Sequence, residues 1–178
     1  MKRRHCVLAA LLALALNAFA APTDQADIAR LRLRALLIPV QSVEASDLQN
    51  TYLQARGGGV RAHEALDIPA PRGTPVLAVD DGRIAKLFLS KPGGRTIYHF
   101  DDALEFSYYY AHLDGYADGL REGMRVRKGQ VIGYVGSTGN AAPESTHLHF
   151  AIFRLGPERQ WWRGIPINPF GVLGVRPP

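Results

Sequence analysis

The chain has 178 residues, enough for one domain of ordinary size with a real hydrophobic core. Its 21 Lys and Arg against 16 Asp and Glu give a formal net charge of +5. Residues 1–20 hold three of these bases and no acid, so the remaining chain carries only +2. A balance this close to neutral does not imply a nucleic-acid partner.

The N-terminal 20 residues have the organisation of a secretory signal peptide. A basic stretch, Lys2 to His5, precedes an apolar stretch, Cys6 to Leu16, and Ala18-Phe19-Ala20 forms a small-x-small cleavage site. We predict cleavage after Ala20 or Ala21 and export to the periplasm or cell envelope. An uncleaved membrane anchor is disfavoured, because the apolar run is shorter than the roughly 20 residues of a spanning helix.

Residues 21–37 are predicted to be a lead-in or linker, and residues 38–178 the folded domain. Ile28, Leu31 and Leu36 have the spacing of a short helix, which Pro39 would end. Ser46-Asp47-Leu48 is expected to cap one or two helical turns that run as far as Ala55.

From Val60 onwards, short apolar runs alternate with turn residues, which is typical of antiparallel β structure. Asp80-Asp81-Gly82 predicts a hairpin between the strands on either side of it. The tail, with Trp161 and Trp162, is expected to cover the edge of the core as a loop. The predicted strands are Pro75 to Val79, Arg83 to Leu89, Thr96 to Phe100, Phe106 to Leu113, Val131 to Val135 and His147 to Leu155.

Two histidines, His147 and His149, lie two residues apart in the last of these strands. Alternate side chains of a strand point to the same face, so both imidazoles should converge there. Such a pair suggests a metal or catalytic site, although a lone pair of this kind is common by chance.

A second cluster, His63-Glu64-Ala65-Leu66-Asp67, offers a nitrogen and an oxygen donor. Its glycine-rich and proline-rich flanks argue against a helix, and on extended backbone His63 and Asp67 would share one side. With one later histidine they would form the open three-ligand set of catalytic zinc, which leaves a position for water. The spacing does not decide between His147 and His149. Cys6 is the only cysteine and lies in the predicted signal, so no thiolate ligand is expected.

A third cluster places His112 at the end of the aromatic strand that contains Tyr108, Tyr109 and Tyr110. Simple alternation puts Tyr110 on the same side as His112, so Tyr110 is predicted to border the groove. The polar loop Gly136 to Asn140 is expected mainly to turn the chain. His99 and Glu64 are predicted to be surface residues.

Between Pro39 and Pro169 the chain resembles the lysostaphin and LytM-like zinc endopeptidases of peptidoglycan. Four matches occur in order: His63 to Asp67, the GTPV and DGR segments near Gly73 and Gly82, Tyr110 to Leu113, and GYVGSTG followed by HLHF. The resemblance implies mostly antiparallel β sheets of the duplicated hybrid motif type with a short helical lead-in. It also implies a zinc ion bound by His63, Asp67 and His149, with His112 and His147 as catalytic neighbours.

By this resemblance the protein is expected to hydrolyse peptide cross-links or stem peptides of peptidoglycan, as a monomer without a membrane span after signal cleavage. Ala65-Leu66 and Ala151 depart from the usual family pattern, but neither position is a ligand. One alternative is a non-catalytic relative that binds and activates another cell-wall hydrolase. A cytoplasmic phosphocarrier with paired histidines is disfavoured by the predicted signal.

Overall fold

The computed structural model describes residues 24–175. The predicted signal peptide and its cleavage site lie outside these residues. One helix, α1 (Asp24–Leu33), and a single 3-10 turn (Ala45–Asp47) precede the strands. The strands are β1 (Ala55–Arg56), β2 (Arg61–Ala62), β3 (Leu66–Pro69), β4 (Pro75–Leu77), β5 (Gly82–Ser90), β6 (Gly94–Asp101), β7 (Phe106–Leu113), β8 (Gly115–Tyr116), β9 (Arg125–Val126), β10 (Val131–Tyr134), β11 (His147–Leu155) and β12 (Gly164–Ile167).

A large antiparallel sheet organises the domain, with the order β12-β11-β7-β6-β5-β9. β11 is long enough to pair with two strands on one edge, with β3 along its first half and with β12 along its second. Strands β4-β10-β8 form a smaller sheet, and β1 and β2 pair with each other. The prediction of a mostly β fold with antiparallel sheets and a short helical lead-in is confirmed.

One contiguous core joins the two sheets. Alternation along β7 and β11 sends every second side chain into it, which is why both strands combine buried apolar residues with residues on the opposite face. The largest fully buried side chains include Phe106, Tyr108, Tyr110, Ile132, Leu148 and Phe150.

Helix α1 and the segment after it pack on the sheets. Leu31 and Leu36 are fully buried members of the core, and Leu36 forms a parallel bridge with Leu173. Arg34 follows the helix and forms an ion pair with Asp101, whose side chain is wholly buried (Nη2–Oδ2, 2.9 Å). None of the helices in the described part of the chain has the length and apolar character needed to cross a membrane.

The hairpin predicted at Asp80-Asp81-Gly82 is wrong. Strand β4 pairs with β10 in the small sheet, whereas β5 pairs with β6 and β9 in the large one. The Asp80 side chain is buried and accepts hydrogen bonds from Tyr108 and Arg34, so this segment connects the two sheets across the core.

Two smaller expectations also fail, and a third holds only in part. The helix predicted after Ser46 is only the 3-10 turn, because the chain leaves helical geometry at Leu48. His99 is completely buried instead of lying on the surface, since it lies on the central strand β6 beside Tyr108 and Tyr110. The tail covers the edge of the core only in part: Ile167, Val172 and Leu173 belong to the core, whereas Trp162 is 61% exposed. Glu64 is exposed, as predicted.

Candidate metal centre

Strand pairing places Asp67 beside His149. β3 and β11 run antiparallel, with Asp67 directly opposite His149 in the register. Opposite residues of an antiparallel pair have neighbouring side chains on one face, and Asp67 Oδ1 lies 3.1 Å from His149 Nδ1. Two donors separated by 82 residues in sequence thus meet because of the register of a single strand pair.

The third donor, His63, enters from the loop before β3, where Glu64 adopts a left-handed backbone conformation (φ 59°). His63 Nδ1 lies 3.1 Å from the carbonyl oxygen of Thr51. A carbonyl oxygen can only accept, so Nδ1 carries the proton and the Nε2 lone pair faces the other donors. His63 Nε2 is 3.0 Å from His149 Nδ1 and 3.1 Å from Asp67 Oδ1.

These three atoms form a nearly equilateral triangle. Donors that bind one tetrahedral zinc ion at about 2.0–2.1 Å are roughly 3.3 Å apart, close to the observed separations. Lone pairs this close repel one another unless a cation or proton lies between them. Two imidazoles and one carboxylate are also a ligand set of catalytic zinc sites. The donor atoms of His63, Asp67 and His149 therefore fit a zinc ion.

The protonation states of the cluster suit metal binding. Partial burial tends to raise the pKa of Asp67, but the contacts of its carboxylate with His149 and His63 outweigh this effect and hold the pKa well below its usual range. Burial lowers the pKa of His149, partly opposed by Asp67. An ionised carboxylate and a neutral imidazole are the forms that coordinate metals.

A bulge in β7 brings His112 to the same face. Ile97 of β6 pairs with Tyr110 and Arg95 with Leu113, so Ala111 and His112 together stand opposite the single residue Thr96. The extra residue is accommodated by a positive φ at His112 (60°). A bulge of this kind reverses the alternation of the strand from that point on.

This bulge makes the prediction for Tyr110 wrong. Tyr110 is fully buried, and its hydroxyl accepts a hydrogen bond from the Val79 amide. Tyr109 is the tyrosine that lines the cavity with His112, and its ring lies 5.9 Å from the ring of His149.

Two loops hold His112 in place. Its amide donates to the Gly93 carbonyl (2.8 Å), and its Nδ1 lies 2.8 Å from the Thr138 carbonyl oxygen, so Nδ1 is the protonated nitrogen. Burial lowers the pKa of His112 to about 4, although the bond to Thr138 opposes this shift. The loop from Gly136 to Asn140 thus orients a histidine as well as turning the chain.

His147 is oriented in the same way at the start of β11. Its Nδ1 lies 2.8 Å from the Ser145 carbonyl oxygen, and its Nε2 lies 3.6 Å from Asp67 Oδ1. The rings of His147 and His112 are 4.9 Å apart. Two imidazoles whose Nδ1 atoms are bound to carbonyls therefore stand beside the three-donor cluster.

All five residues line one open cavity of about 650 Å³. The structure thus brings together every site residue predicted from the sequence. It adds Arg56, which lines the cavity and binds Asp67 Oδ2 (Nη2–Oδ2, 2.7 Å), and Thr51, whose hydroxyl accepts from the Asp67 amide. Neither has a signal in the sequence, because each acts through a tertiary contact with Asp67 of β3.

Comparison with known proteins extends these observations. Residues 61–169, more than half of the chain, match the sequence model of Peptidase family M23. The chain is 36% identical over 119 residues to the L-Ala--D-Glu endopeptidase of Bacillus subtilis, a match that covers 64% of this chain and 36% of the relative. It is 32% identical over 131 residues to the murein hydrolase activator NlpD of Escherichia coli, covering 72% of this chain and 30% of the relative.

Among solved structures, the chain is similar to the catalytic domain of the antimicrobial peptidase lysostaphin from Staphylococcus simulans. The two share 28% sequence identity with a TM-score of 0.57, over 68% of this chain and 87% of that domain. By contrast, the chain spans only about a third of the length of the two curated relatives.

Proposed function

The chain belongs to Peptidase family M23, and from this premise we propose that it is an exported zinc metallo-endopeptidase that hydrolyses cross-links or stem peptides of peptidoglycan. The observation that carries this proposal is the convergence of His63, Asp67 and His149 beside two further histidines on the wall of an open cavity.

The proposed ligands are His63 Nε2, Asp67 Oδ1 and His149 Nδ1. Members of this family are metallopeptidases, and an all-N/O set of two histidines and one carboxylate suits zinc. Lewis-acid chemistry is what a bound zinc ion supplies: it lowers the pKa of water towards neutrality and polarises a carbonyl oxygen. Thr51 and Arg56 hold the ligands in orientation, through His63 Nδ1 and Asp67 Oδ2.

His112 and His147 are the proposed catalytic residues. Each binds a backbone carbonyl through Nδ1, which leaves Nε2 to accept or donate a proton at the reacting amide. The lowered pKa of His112 keeps this imidazole neutral at pH 7, so it can accept a proton from water. The proposed role of His147, whose Nε2 lies 3.6 Å from Asp67 Oδ1, is to donate a hydrogen bond from Nε2, in the protonated form of the ring, to the oxygen that becomes negative in the tetrahedral intermediate.

The proposed substrate rests on the relatives and on the predicted export. The Bacillus relative is named for cutting the L-Ala–D-Glu bond, which belongs to a peptidoglycan stem. Export through the predicted signal would bring this chain to the same polymer in the periplasm or cell envelope.

A second candidate function is that of an activator which binds a different hydrolase. The match to NlpD, whose name describes such a role, favours it. A protein that only binds and activates another hydrolase does not need a complete set of metal-binding side chains. This chain retains all three donors and both neighbouring histidines, which supports the enzyme.

Digestion of purified muropeptides separates the two functions. The zinc-loaded protein should convert cross-linked dimers into smaller products, and mass spectrometry of the products identifies the bond that is cut. The His112→Ala protein is the matched control and should leave the dimers intact. Uncut dimers after long incubation with zinc-bound wild-type protein would contradict the enzyme and favour the activator.

A further inference from the structure

Five aromatic side chains form a continuous row on the outer face of the large sheet. We call this row, Phe88, Tyr98, Tyr109, Trp161 and Trp162, the aromatic platform. Neighbouring ring centroids lie 4.7–5.2 Å apart: Tyr109 and Tyr98 at 4.7 Å, Tyr98 and Trp161 at 4.8 Å, and Trp161 to both Phe88 and Trp162 at 5.2 Å.

The sheet itself builds the platform. Tyr98 of β6 and Tyr109 of β7 are directly opposite in the register, on the face away from the core. The loop from β11 to β12 then returns across this face and lays Trp161 on Tyr98. These rings do not belong to the hydrophobic core, and Phe88 is 39% exposed beside the more exposed Trp162.

Tyr109 connects the platform to the metal centre. It lines the cavity that contains the histidines, and it also lines a second cavity of about 350 Å³ with Tyr98, Phe153, Trp161 and Trp162. Tyr109 is thus shared by the two cavities, which makes the platform a direct neighbour of the metal centre.

Phe88 and Trp162 are exposed and the other three rings are partly buried, so the exposed apolar surface at this end of the platform requires a physical reason. Contiguous exposed apolar surface is unfavourable in water and marks an interaction site. Tyrosine and tryptophan combine a large apolar face with a polar tip, which suits a ligand that is apolar on one face and polar at its edge. A pyranose ring has this character, because its axial C–H groups form an apolar face and its hydroxyl groups lie at the rim.

The substrate class narrows the choice of ligand. Stem peptides of peptidoglycan carry small or charged side chains, which offer little surface to a row of five rings. The N-acetylated sugars to which the stems are attached do offer such surface. Arg163 lines the second cavity and can donate hydrogen bonds to hydroxyl or acetyl oxygens.

We propose that the aromatic platform binds an N-acetylated saccharide of the glycan strand while the attached peptide occupies the metal centre. This inference rests on the proposed function, because it assigns a second part of the same substrate to a neighbouring surface. The platform would then make the enzyme prefer peptides that are still attached to glycan.

Tryptophan fluorescence tests binding without any turnover. The chain has two tryptophans, and both belong to the platform. Titration with the tetramer of N-acetylglucosamine should change the emission saturably. Trp162→Ala, which keeps Trp161 as reporter, should weaken the affinity by about fivefold, and Trp162→Phe by less. Phe170→Ala removes an exposed aromatic side chain outside the platform and should bind as the wild type does.

Kinetics then test the preference. The same cross-linked peptide is supplied with and without its disaccharides, and kcat/KM is compared. The wild type should favour the sugar-bearing form by about fivefold, and Trp162→Ala should reduce this ratio towards one. Thermal unfolding of each variant checks that the fold is retained.

Equal kcat/KM values for both forms with the wild type, or no change in emission with the saccharide, would overturn the platform proposal and leave the proposed peptidase intact. If neither peptide form is cut, the proposed function fails, and saturable saccharide binding that Trp162→Ala weakens would still support the platform.

Discussion

Arg56 and Asp67 form an ion pair at the edge of the metal centre, with Arg56 Nη2 2.7 Å from Asp67 Oδ2. The other carboxylate oxygen, Oδ1, faces the nitrogens of His63 and His149. The guanidinium therefore occupies one oxygen of Asp67 and directs the second into the donor triangle. Contacts of this kind orient metal ligands and tune their charge.

Replacing Arg56 with Met should weaken zinc binding by about 10–100-fold, because Asp67 loses the group that fixes its orientation. Competition with a chromophoric chelator measures the affinity. Arg61 lines the same cavity from the paired strand β2 and is exposed, so Arg61→Met is the matched control. Equal zinc affinity in the two variants would show that the ion pair does not support the ligand.

The loop at Thr138 should be needed for activity through its contact with His112. Gly94 has a φ of 64°, and a methyl group there would overlap Thr138. We expect Gly94→Ala to lower kcat by about 10–100-fold while zinc stays bound, since small displacements of a catalytic group are costly. Gly115→Ala adds a methyl group where no atom lies within 4 Å, and its kcat should stay at the wild-type value. An unchanged kcat in Gly94→Ala would contradict this role of the loop.

The ion pair between Arg34 and Asp101 should stabilise the attachment of the segment that follows α1. Asp101 is wholly buried, so Arg34→Met leaves a buried carboxylate without its cation and should cost about 3 kcal/mol of unfolding free energy. Urea denaturation measures this loss. Arg125→Met breaks an ion pair whose side chains are 75% and 49% exposed, and should cost less than about 1 kcal/mol. Similar losses of unfolding free energy in both variants would show that the pair of Arg34 with Asp101 stabilises the fold no more than an exposed ion pair does.

His99 should make the protein less stable in mild acid. Burial lowers its pKa to about 4, below the value of about 6.5 for an unfolded chain. Between these values the unfolded chain binds a proton that the folded protein does not. The unfolding free energy therefore falls as the pH drops from 6.5 to 4, by at most about 3 kcal/mol from this residue.

Urea denaturation of the wild type and of His99→Gln at several pH values between 7 and 4 isolates this contribution. The two proteins share all their other titratable groups. The difference between their plots of unfolding free energy against pH is therefore assigned to His99. Parallel pH profiles would show that His99 does not contribute.

Regular strands made part of the site predictable. β11 pairs without interruption with β3 and β7, so simple alternation correctly placed His147 and His149 on one face. The spacing of His63 and Asp67 likewise indicated a shared side. Which histidine of the pair meets Asp67 depends on the register between β3 and β11, and the residues alone do not specify a register.

Other features depended on contacts that a linear pattern does not encode. Because of the bulge at His112, Tyr109 lines the cavity and Tyr110 is buried in the core. Simple alternation predicts the opposite, since it fails where one strand carries an extra residue. His99 was misjudged because a polar residue near two aspartates gave no sign of lying on a central strand. The ion pair of Arg56 with Asp67 joins β1 to β3, whose two residues are 11 apart in sequence and do not pair as strands.

Zinc content and turnover measured together on His147→Ala and His149→Ala test the central claim most directly. The claim is that His149 binds the metal whereas His147, two residues away on the same face, acts on the substrate. We predict that His147→Ala retains one zinc per chain and loses turnover of muropeptides, and that His149→Ala loses both. Loss of zinc from His147→Ala with retention in His149→Ala would contradict this division.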